Sequence, residues 1–165
     1  MIKAIVAVAN DWSIGKSGKM LFHLPKDLKF FQTATKDHVV VCGGKTLQSL
    51  PGNKPLKDRS TICICTKENN RDDCFCINDF DKAIALVKEL NKTQDVWIIG
   101  GQLIYEKFIN LCEDVWVTKI DTIGNGDTYF PNLDSRNDFE LVWEAEPEDD
   151  NGYSIKFCEY RRVYE

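Results

Sequence analysis

The sequence predicts an α/β protein of three layers, in which helices cover both faces of a mostly parallel sheet and antiparallel strands close one edge. Three observations predict this fold class. The first two thirds of the chain alternate strand-like and helix-like segments, which favours right-handed crossovers and a parallel sheet. From Asp114 onward only strand-like segments remain. The 165 residues contain no linker, repeat or charge tract, so we expect one domain over residues 1–165.

The predicted elements follow one another in a regular order. Ile2–Ala9 is a continuous apolar run, typical of a strand buried on both faces, and residues 10–24 have the glycines of an irregular loop. Pro25 begins a helix at the position where its missing N–H costs nothing. Asp79 caps a helix over Phe80–Leu90, whose apolar side chains have helical spacing. The other predicted segments are the strands His38–Cys42, Ser60–Cys65, Cys74–Asn78, Asp95–Ile99, Val115–Asp121, Phe139–Glu144 and Tyr153–Tyr160 and the helices Lys45–Leu50 and Gln102–Asn110.

Composition and charge argue against several classes of partner. Hydrophobic residues make up 43% and charged residues 28% of the chain, as in globular domains. The formal net charge is −5 and no segment is basic, which disfavours nucleic acid and anionic membrane surfaces. No apolar run reaches the roughly 18 residues of a membrane span. The apolar start is too short for a signal peptide, so we expect a cytoplasmic protein.

Seven cysteines without an export signal argue against a disulfide-stabilised secreted domain. The pairs Cys63/Cys65 and Cys74/Cys76 have Cys-x-Cys spacing, whereas structural zinc sites use Cys-x-x-Cys. Residues i and i+2 of a strand share a face, so we expect these thiols to be reduced and to pack as small apolar side chains. No metal site is predicted.

Two glycine turns follow predicted strands, at the edge where open α/β sheets bind ligands. Gly43-Gly44-Lys45-Thr46 is not a P-loop, because position 39 is valine where that motif needs glycine. It is either a phosphate-binding turn with N–H groups, a cation and a hydroxyl, or an ordinary strand–helix turn. Ile99-Gly100-Gly101-Gln102 likewise lacks the third glycine of the Gly-x-Gly-x-x-Gly fingerprint. Together the two turns indicate a dinucleotide pyrophosphate better than either does alone.

Asp27 lies at the edge of the apolar stripe of the helix that begins at Pro25. One interpretation is an exposed acid in the first turn, stabilised by the helix dipole. The other is a carboxylate that faces an apolar pocket, with a pKa raised by desolvation and available for proton chemistry. The other acid of residues 10–34, Asp11, is in the predicted loop.

Several short motifs occur in a fixed order along the chain. They are Ala7-Val-Ala-Asn-Asp-Trp-Ser-Ile-Gly15, Leu24-Pro-Lys-Asp-Leu28 with Phe31, Gly43-Gly-Lys-Thr46, Leu56-Lys-Asp-Arg59, Ile98-Ile-Gly-Gly101 with Tyr105, Thr118-Lys-Ile-Asp121 and Gly126-Asp-Thr-Tyr-Phe-Pro131. No single motif identifies a protein family, but the order of these motifs and the distances between them do. In this respect the chain resembles bacterial-type dihydrofolate reductases from Met1 to about Tyr160.

The resemblance implies a dihydrofolate reductase-like fold and the NADPH-dependent reduction of 7,8-dihydrofolate to tetrahydrofolate. It also implies a monomer that serves one-carbon metabolism and is an antifolate target. Residues 10–24 correspond to the mobile loop that closes over the nicotinamide, and Gly126-Asp127 to the loop that braces it. Such a closing loop would exclude water from the hydride path.

The resemblance further implies roles for individual residues. Asp27 matches the family's active-site acid, which binds the pterin amino group and ring N–H and promotes protonation, and Thr118 would share the amino contact. Arg59 matches the arginine that binds a carboxylate of the glutamate tail. Phe22 stands where a tryptophan usually anchors a water. The other positions implied for the substrate are Ile5, Val6, Leu28, Phe31, Leu50 and Ile99. Those implied for NADPH are Ala7, Ile14, Gly15, Lys16, Gly43, Gly44, Lys45, Thr46, Thr66, Lys67, Gly100, Gly101, Gln102, Leu103 and Tyr105.

This sequence departs from the family pattern near the cofactor. Leu21 stands where proline is common, so the loop is expected to be less stiff. Gly44 stands where many members carry the arginine that binds the 2′-phosphate, and Leu103 where some carry another arginine. Lys45 and Lys67 are the candidates for compensating charge. We therefore expect a smaller preference for NADPH over NADH than is usual in the family.

Two other functions stay open at this point. The pyrimidinone reductase of riboflavin synthesis shares the fold but lacks the carboxylate and the tail-binding arginine, which are present here as Asp27 and Arg59. A nucleotide-binding module without catalysis would be consistent with Phe22 and Gly44. Retention of both Asp27 and Thr118 argues against that module.

Overall fold

A computed structural model describes residues 1–65 and 73–164. The described strands are β1 (Ile2–Val8), β2 (Ser13–Lys16), β3 (Lys19–Met20), β4 (Val39–Gly43), β5 (Ser60–Ile64), β6 (Phe75–Ile77), β7 (Val96–Gly100), β8 (Asp114–Ile120), β9 (Thr128–Tyr129), β10 (Phe139–Glu144), β11 (Glu148–Asp150) and β12 (Tyr153–Arg162). The described helices are α1 (Pro25–Thr35), α2 (Gly44–Ser49), α3 (Phe80–Leu90) and α4 (Gln102–Phe108).

The larger sheet has the strand order β10-β12-β8-β1-β7-β4-β5-β6, and β11 also pairs with β12. Every pair from β8 through β1, β7, β4 and β5 to β6 is parallel. Strand β12 runs antiparallel to β8, β10 and β11. The predicted fold class, a mostly parallel sheet with an antiparallel edge, is therefore confirmed.

Side chains of β1 alternate between the two faces of this sheet. Val6, with Ile2, Ala4 and Val8, packs in a cluster that contains residues of α3 and α4. Ile5 packs in a separate cluster that contains Phe30 and Phe31 of α1. Apolar side chains thus leave the central strand in both directions, and helices cover both faces as predicted.

None of the seven cysteines forms a disulfide bond. Five of them share one apolar cluster, namely Cys42, Cys63, Cys65, Cys74 and Cys76. Cys63 lies opposite Cys42 in β4 and opposite Cys76 in β6, so three thiols lie side by side across neighbouring strands. Among the residues that the structure describes, no group of three or more His, Cys, Asp or Glu side chains is arranged to hold a metal ion. No described helix is long and apolar enough to span a membrane.

Two short hairpins differ from the prediction. Residues 10–24 are not an irregular loop, because β2 and β3 pair across the turn Ser17-Gly18, where φ is 53° and 77°. Strands β11 and β12 pair across Asn151-Gly152, where φ is 53° and 88°. Positive φ at both central residues is the geometry of tight hairpin turns. Strands of two to four residues carry too little alternation to be recognised from hydrophobicity alone.

Asp114, the first residue of β8, is a buried acid at the opposite end of that strand from the glycine turns. Its side chain accepts a hydrogen bond from Trp116 Nε1 at 3.1 Å, and Arg161 Nε is 4.0 Å from its other oxygen. Burial is the largest cause that raises the pKa of Asp114 to about 7, and the neighbouring Glu159 carboxyl adds to it. At a pH between the ordinary pKa of an aspartic acid and this raised value, the Asp114 carboxyl is protonated in the folded protein and ionised in the unfolded chain.

This proton makes stability depend on pH in an unusual direction. Between about pH 4 and pH 7 the folded state binds more protons at Asp114, so the free energy of unfolding falls as pH rises. We expect Asp114→Asn to remove this contribution to the slope, so that the stability of the variant minus that of the parent is greater at pH 8 than at pH 4 by roughly 1–3 kcal/mol. Urea unfolding at both pH values checks this, with the exposed Glu140→Gln as control. Equal slopes in Asp114→Asn and the parent would contradict it.

Candidate active site

Asp27 lies in the first turn of α1 and is half-buried against β8. Thr118 of β8 donates a hydrogen bond from Oγ1 to Asp27 Oδ1 at 2.6 Å. Desolvation is the main cause that raises the pKa of Asp27, the Thr118 hydrogen bond acts in the opposite direction, and the negative charge of Asp150 raises it further. The Thr118 hydrogen bond and the direction of this pKa shift favour the interpretation of Asp27 as a sheltered carboxylate, and its role in proton chemistry stays a prediction.

The N-terminus of α1 is capped from a distant part of the chain. Leu24 is its N-cap residue and provides no side-chain hydrogen bond. Instead, the two carboxylate oxygens of Asp150 accept hydrogen bonds from the backbone N–H groups of Lys26 at 3.2 Å and Asp27 at 3.1 Å. Our sequence reasoning missed Asp150. Two signals were present: a helix start without a capping side chain, and the Asn-Gly turn that follows Asp150.

An apolar surface adjoins Asp27 on the α1 face of the sheet. Ile5 of β1, Phe31 of α1 and Ile99 of β7 share one cluster, and Ile99 also contacts the cluster that contains Leu50. Leu28, the residue after Asp27, is 43% exposed although it is apolar. The structure therefore brings these candidate substrate residues to one side of the sheet.

Val6 is the exception among the candidate substrate residues. Its side chain belongs to the cluster of α3 and α4, on the opposite face from Asp27. Neighbouring residues of a strand point to opposite faces, so Ile5 and Val6 cannot both direct side chains toward α1. On the α1 side of the sheet, Val6 can therefore contribute only backbone atoms.

Arg59 lies beside the end of α1 with its guanidinium group held in a fixed orientation. Its Nε donates to Thr35 Oγ1 at 3.1 Å, and its two terminal nitrogens donate to the carbonyl groups of Lys57 and Gln32. A guanidinium has five N–H donors, so these three bonds leave two for a ligand. A carboxylate is the matching partner for such a pair.

The two glycine turns are neighbours, because β4 and β7 are adjacent strands and Cys42 lies opposite Gly100. A Cβ added to Gly101 would lie 3.5 Å from Thr46 Oγ1, and one added to Gly44 would meet nothing within 4 Å. The peptide bond between Gly100 and Gly101 is cis. The two turns thus form one open surface at the carboxyl ends of the strands.

Tyr105 of α4 connects this surface to β1. Its hydroxyl donates to the carbonyl oxygen of Ile5 at 2.7 Å, and burial raises the pKa of this phenol far above its ordinary value. Gly100 has φ of 115°, and a Cβ there would lie 3.0 Å from the Tyr105 ring. A side chain at position 100 would therefore meet both backbone strain and a clash.

The loop 10–24 is held by the segment that contains Asp127, as expected. Asp127 Oδ2 accepts a hydrogen bond from the Ser17 N–H at 3.0 Å, and the Asp127 N–H donates to the Gly15 carbonyl at 2.9 Å. Gln102 Oε1 accepts from the Tyr129 N–H at 2.8 Å, which ties this segment to α4. The loop, its brace and the second glycine turn are therefore in contact.

The other candidate cofactor positions differ in exposure. Lys16, Lys45 and Leu103 are exposed; Ala7, Ile14, Gly43, Gly44, Thr46, Gly101 and Gln102 are half-buried; Gly15, Gly100 and Tyr105 are buried. Thr66 and Lys67 lie outside the described residues. Of the two lysines considered for compensating charge, Lys45 is the one that the structure describes, and it is exposed next to Gly44.

Phe22 lies at the junction between the loop 10–24 and α1. Its ring is half-buried, with the Tyr153 ring centre 4.7 Å away. It lines a small hollow between the loop and the sheet together with Ala7, Ser13, Ile14, Met20, Leu21, Leu24 and Ile120. A phenyl ring at this place offers no hydrogen-bond donor to a water in the hollow.

Comparison with known proteins accounts for this arrangement. Among solved structures, a dihydrofolate reductase from Enterococcus faecalis complexed with NADP(H) and RAB-propyl has a TM-score of 0.84 and 30% identity, with 98% of this chain and 96% of that chain covered. The protein is therefore an enzyme of the oxidoreductase class. Curated relatives include the dihydrofolate reductase of Buchnera aphidicola (31% identity, 95% of each chain) and dihydrofolate reductase type 3 of Salmonella typhimurium (31% identity, 98% of each). The sequence model of the dihydrofolate reductase family matches residues 1–162, and the chain belongs to that family.

Proposed function

We propose that this protein reduces 7,8-dihydrofolate to 5,6,7,8-tetrahydrofolate with NADPH and so supplies one-carbon metabolism. The observation that carries the proposal is the Asp27–Thr118 pair, with 2.6 Å between Oδ1 and Oγ1, beside an apolar surface on α1. Such a pair is suited to a flat heterocycle with adjacent N–H groups and an apolar body. The pterin ring of dihydrofolate has these properties.

The hydrogen bond within the pair determines what each group offers to the substrate. Thr118 uses its only proton on Asp27, so its oxygen is left as an acceptor for an amino group. Asp27 Oδ2 is left as an acceptor for a second N–H of the same edge. Bonds from N–H groups to a sheltered carboxylate are charge-assisted and strong. Arg59, with two free donors, would bind a carboxylate of the glutamate tail.

The proton added to the pterin depends on the raised pKa of Asp27. A carboxyl with a raised pKa keeps its proton closer to neutral pH, so it can still donate that proton under conditions in which an exposed aspartic acid is ionised. The proton passes from Asp27 to the substrate directly or through a water. We therefore expect turnover to fall as pH rises through the pKa of Asp27.

The residues at the two glycine turns fit NADPH. Gly44 and Gly101 leave open backbone, which lets a pyrophosphate approach, and Lys45 and Thr46 supply a cation and a hydroxyl next to it. When bound, NADPH supplies the hydride. The loop 10–24, braced by Asp127, would exclude water from the reacting atoms. We further propose that the protein acts as a cytoplasmic monomer of one domain, without nucleic-acid or membrane partners.

The decisive experiment follows the loss of reduced-nicotinamide absorbance with dihydrofolate, with NADPH and NADH in parallel. We expect rapid loss with NADPH. Loss with neither cofactor, together with measurable folate binding, would overturn the proposal and favour a nucleotide-binding module without catalysis.

The cofactor preference can be changed at Gly44. An added side chain there meets nothing within 4 Å, so Gly44→Arg should fold normally and place a guanidinium beside the first turn. We expect the ratio of kcat/KM for NADPH to that for NADH to rise about tenfold or more, because hydrogen bonds to charged groups contribute roughly 1.5–3 kcal/mol. Gly44→Ala, which adds no charge, is the control. An unchanged ratio in Gly44→Arg would show that the 2′-phosphate is bound elsewhere.

A further inference from the structure

The hairpin of β11 and β12 forms hydrogen bonds with the chain both before and after the start of α1. Asn151 Nδ2 donates to the carbonyl oxygen of His23 at 2.9 Å, before the helix. Within the first turn, Asp150 accepts from the backbone N–H groups of Lys26 and Asp27, and Lys26 Nζ donates to the Asp149 carbonyl at 2.6 Å. These residues are separated by more than 120 positions in sequence, so the contacts are purely tertiary.

Asp150 does for α1 what a local capping residue does in other helices. Pro25 has no N–H, so the N–H groups of Lys26 and Asp27 are the first donors of the helix and lack partners within it. An N-cap side chain normally accepts from these two positions. Asp150 is only 2% exposed, and the two hydrogen bonds account for both of its oxygens. Its burial is therefore explained by this contact.

The contact fixes the backbone of the catalytic acid itself. One carboxylate oxygen of Asp150 holds the N–H of Asp27, while Thr118 holds the Asp27 carboxyl from β8. Asp27 is thus restrained at its main chain by one strand and at its side chain by another. Restraint at both ends is what keeps an acid at a defined distance from its substrate.

We propose that Asp150 is a positioning residue for the reaction, which fixes the location of Asp27 by capping α1 from the β11–β12 hairpin. The inference rests on the proposed function, in which Asp27 governs protonation of the substrate. Asp150 touches neither of the groups that Asp27 and Thr118 offer to the pterin, so it acts only through Asp27.

Electrostatics at this junction supports the same role. The charged and titratable groups here are Lys26 and Asp27 of α1, His23 before it, Glu148, Asp149 and Asp150 of β11, and Tyr105 of α4. Lys26 Nζ is 3.9 Å from Glu148 Oε1 and turns toward the exposed side of the hairpin. Of the carboxylates in this group, Asp150 is the one whose charge raises the pKa of Asp27.

The test compares Asp150→Asn with Asp149→Asn, which removes the same charge from the exposed neighbour. For Asp150→Asn we expect the midpoint of the pH–rate profile to move down by about half a unit or more, with a roughly threefold loss of turnover above it. Carboxyl-carbon NMR titration of Asp27 should show the same shift without any turnover. Asp149→Asn should leave both midpoints where they are. Asp150→Ser, which keeps one capping acceptor, provides the same measurements if Asp150→Asn does not fold.

Two results would overturn the inference: a folded Asp150 variant with the parent's midpoints, or an equal shift in Asp149→Asn, which would indicate a general charge effect. Failure of the proposed function has a different signature. In that case the parent itself does not reduce dihydrofolate, while the NMR titration of Asp27 still reports whether Asp150 acts on it.

Discussion

Replacement of Asp27 by asparagine should reduce turnover at neutral pH by a factor of about 10² to 10⁴, the usual contribution of a positioned acid. Asparagine keeps the shape of the side chain and an oxygen that can accept the Thr118 hydrogen bond, but it holds no transferable proton. Activity should recover in part in acid, because dihydrofolate then takes its proton from solution. Steady-state rates across the pH range, at saturating NADPH, check both parts of this prediction.

The same variant should not be less stable than the parent. The pKa of Asp27 is raised in the folded protein, mainly by burial, so above that pKa the ionised carboxylate is less favourable in the folded state than in the unfolded chain. An amide removes this cost, and we expect an equal or higher Tm at neutral pH. Asp81→Asn, at an exposed position of α3, controls for the change in net charge. Parent-like turnover in Asp27→Asn at neutral pH would remove Asp27 from the mechanism.

Local signals explain which elements could be predicted from the sequence. Helix α1 begins at Pro25, and α3 begins after Asp79, whose side chain accepts from the Lys82 N–H at 3.1 Å. Both signals lie within three residues of the helix start, so they can be read without knowing the fold. The buried parallel strands were likewise evident as short apolar runs.

The parts that could not be predicted depend on distant contacts. The position of Asp27 at the edge of the apolar stripe left both an exposed and a sheltered acid open. The contacts that hold it come from far away in sequence: Thr118, 91 positions away, bonds its carboxyl, and Asp150, 123 positions away, bonds its backbone N–H. No periodicity in the sequence links such positions. The uncapped start at Leu24 indicated that a partner was needed without indicating which one. The orientation of Val6 is different, because its place next to Ile5 in a strand already indicates that the two side chains point to opposite faces.

Replacement of Gly126 by alanine should loosen the loop 10–24 from its brace and lower the free energy of unfolding by roughly 1–3 kcal/mol, as overpacking does. A Cβ at this position would lie 2.5 Å from the Gly15 carbonyl oxygen and 2.8 Å from Ser13 Cβ. Neither atom can move alone. Gly15 O accepts the Asp127 N–H, and Ser13 is buried and pairs with Tyr129 in β9. The backbone segments on the two sides must therefore separate.

This separation should appear in cofactor binding as well as in stability, because Ile14 and Gly15 are candidate cofactor positions and the bracing segment contacts Gln102 of the second glycine turn through Tyr129. We expect a higher KM for NADPH in Gly126→Ala together with a lower Tm, measured by thermal unfolding and initial rates. Gly44→Ala is the control for stability, since its Cβ meets nothing within 4 Å and should leave Tm unchanged. A lower Tm with the parent's KM would mean that the brace stabilises the fold without shaping the cofactor site. An unchanged Tm would show that the loop accommodates the methyl group and is not held by this contact.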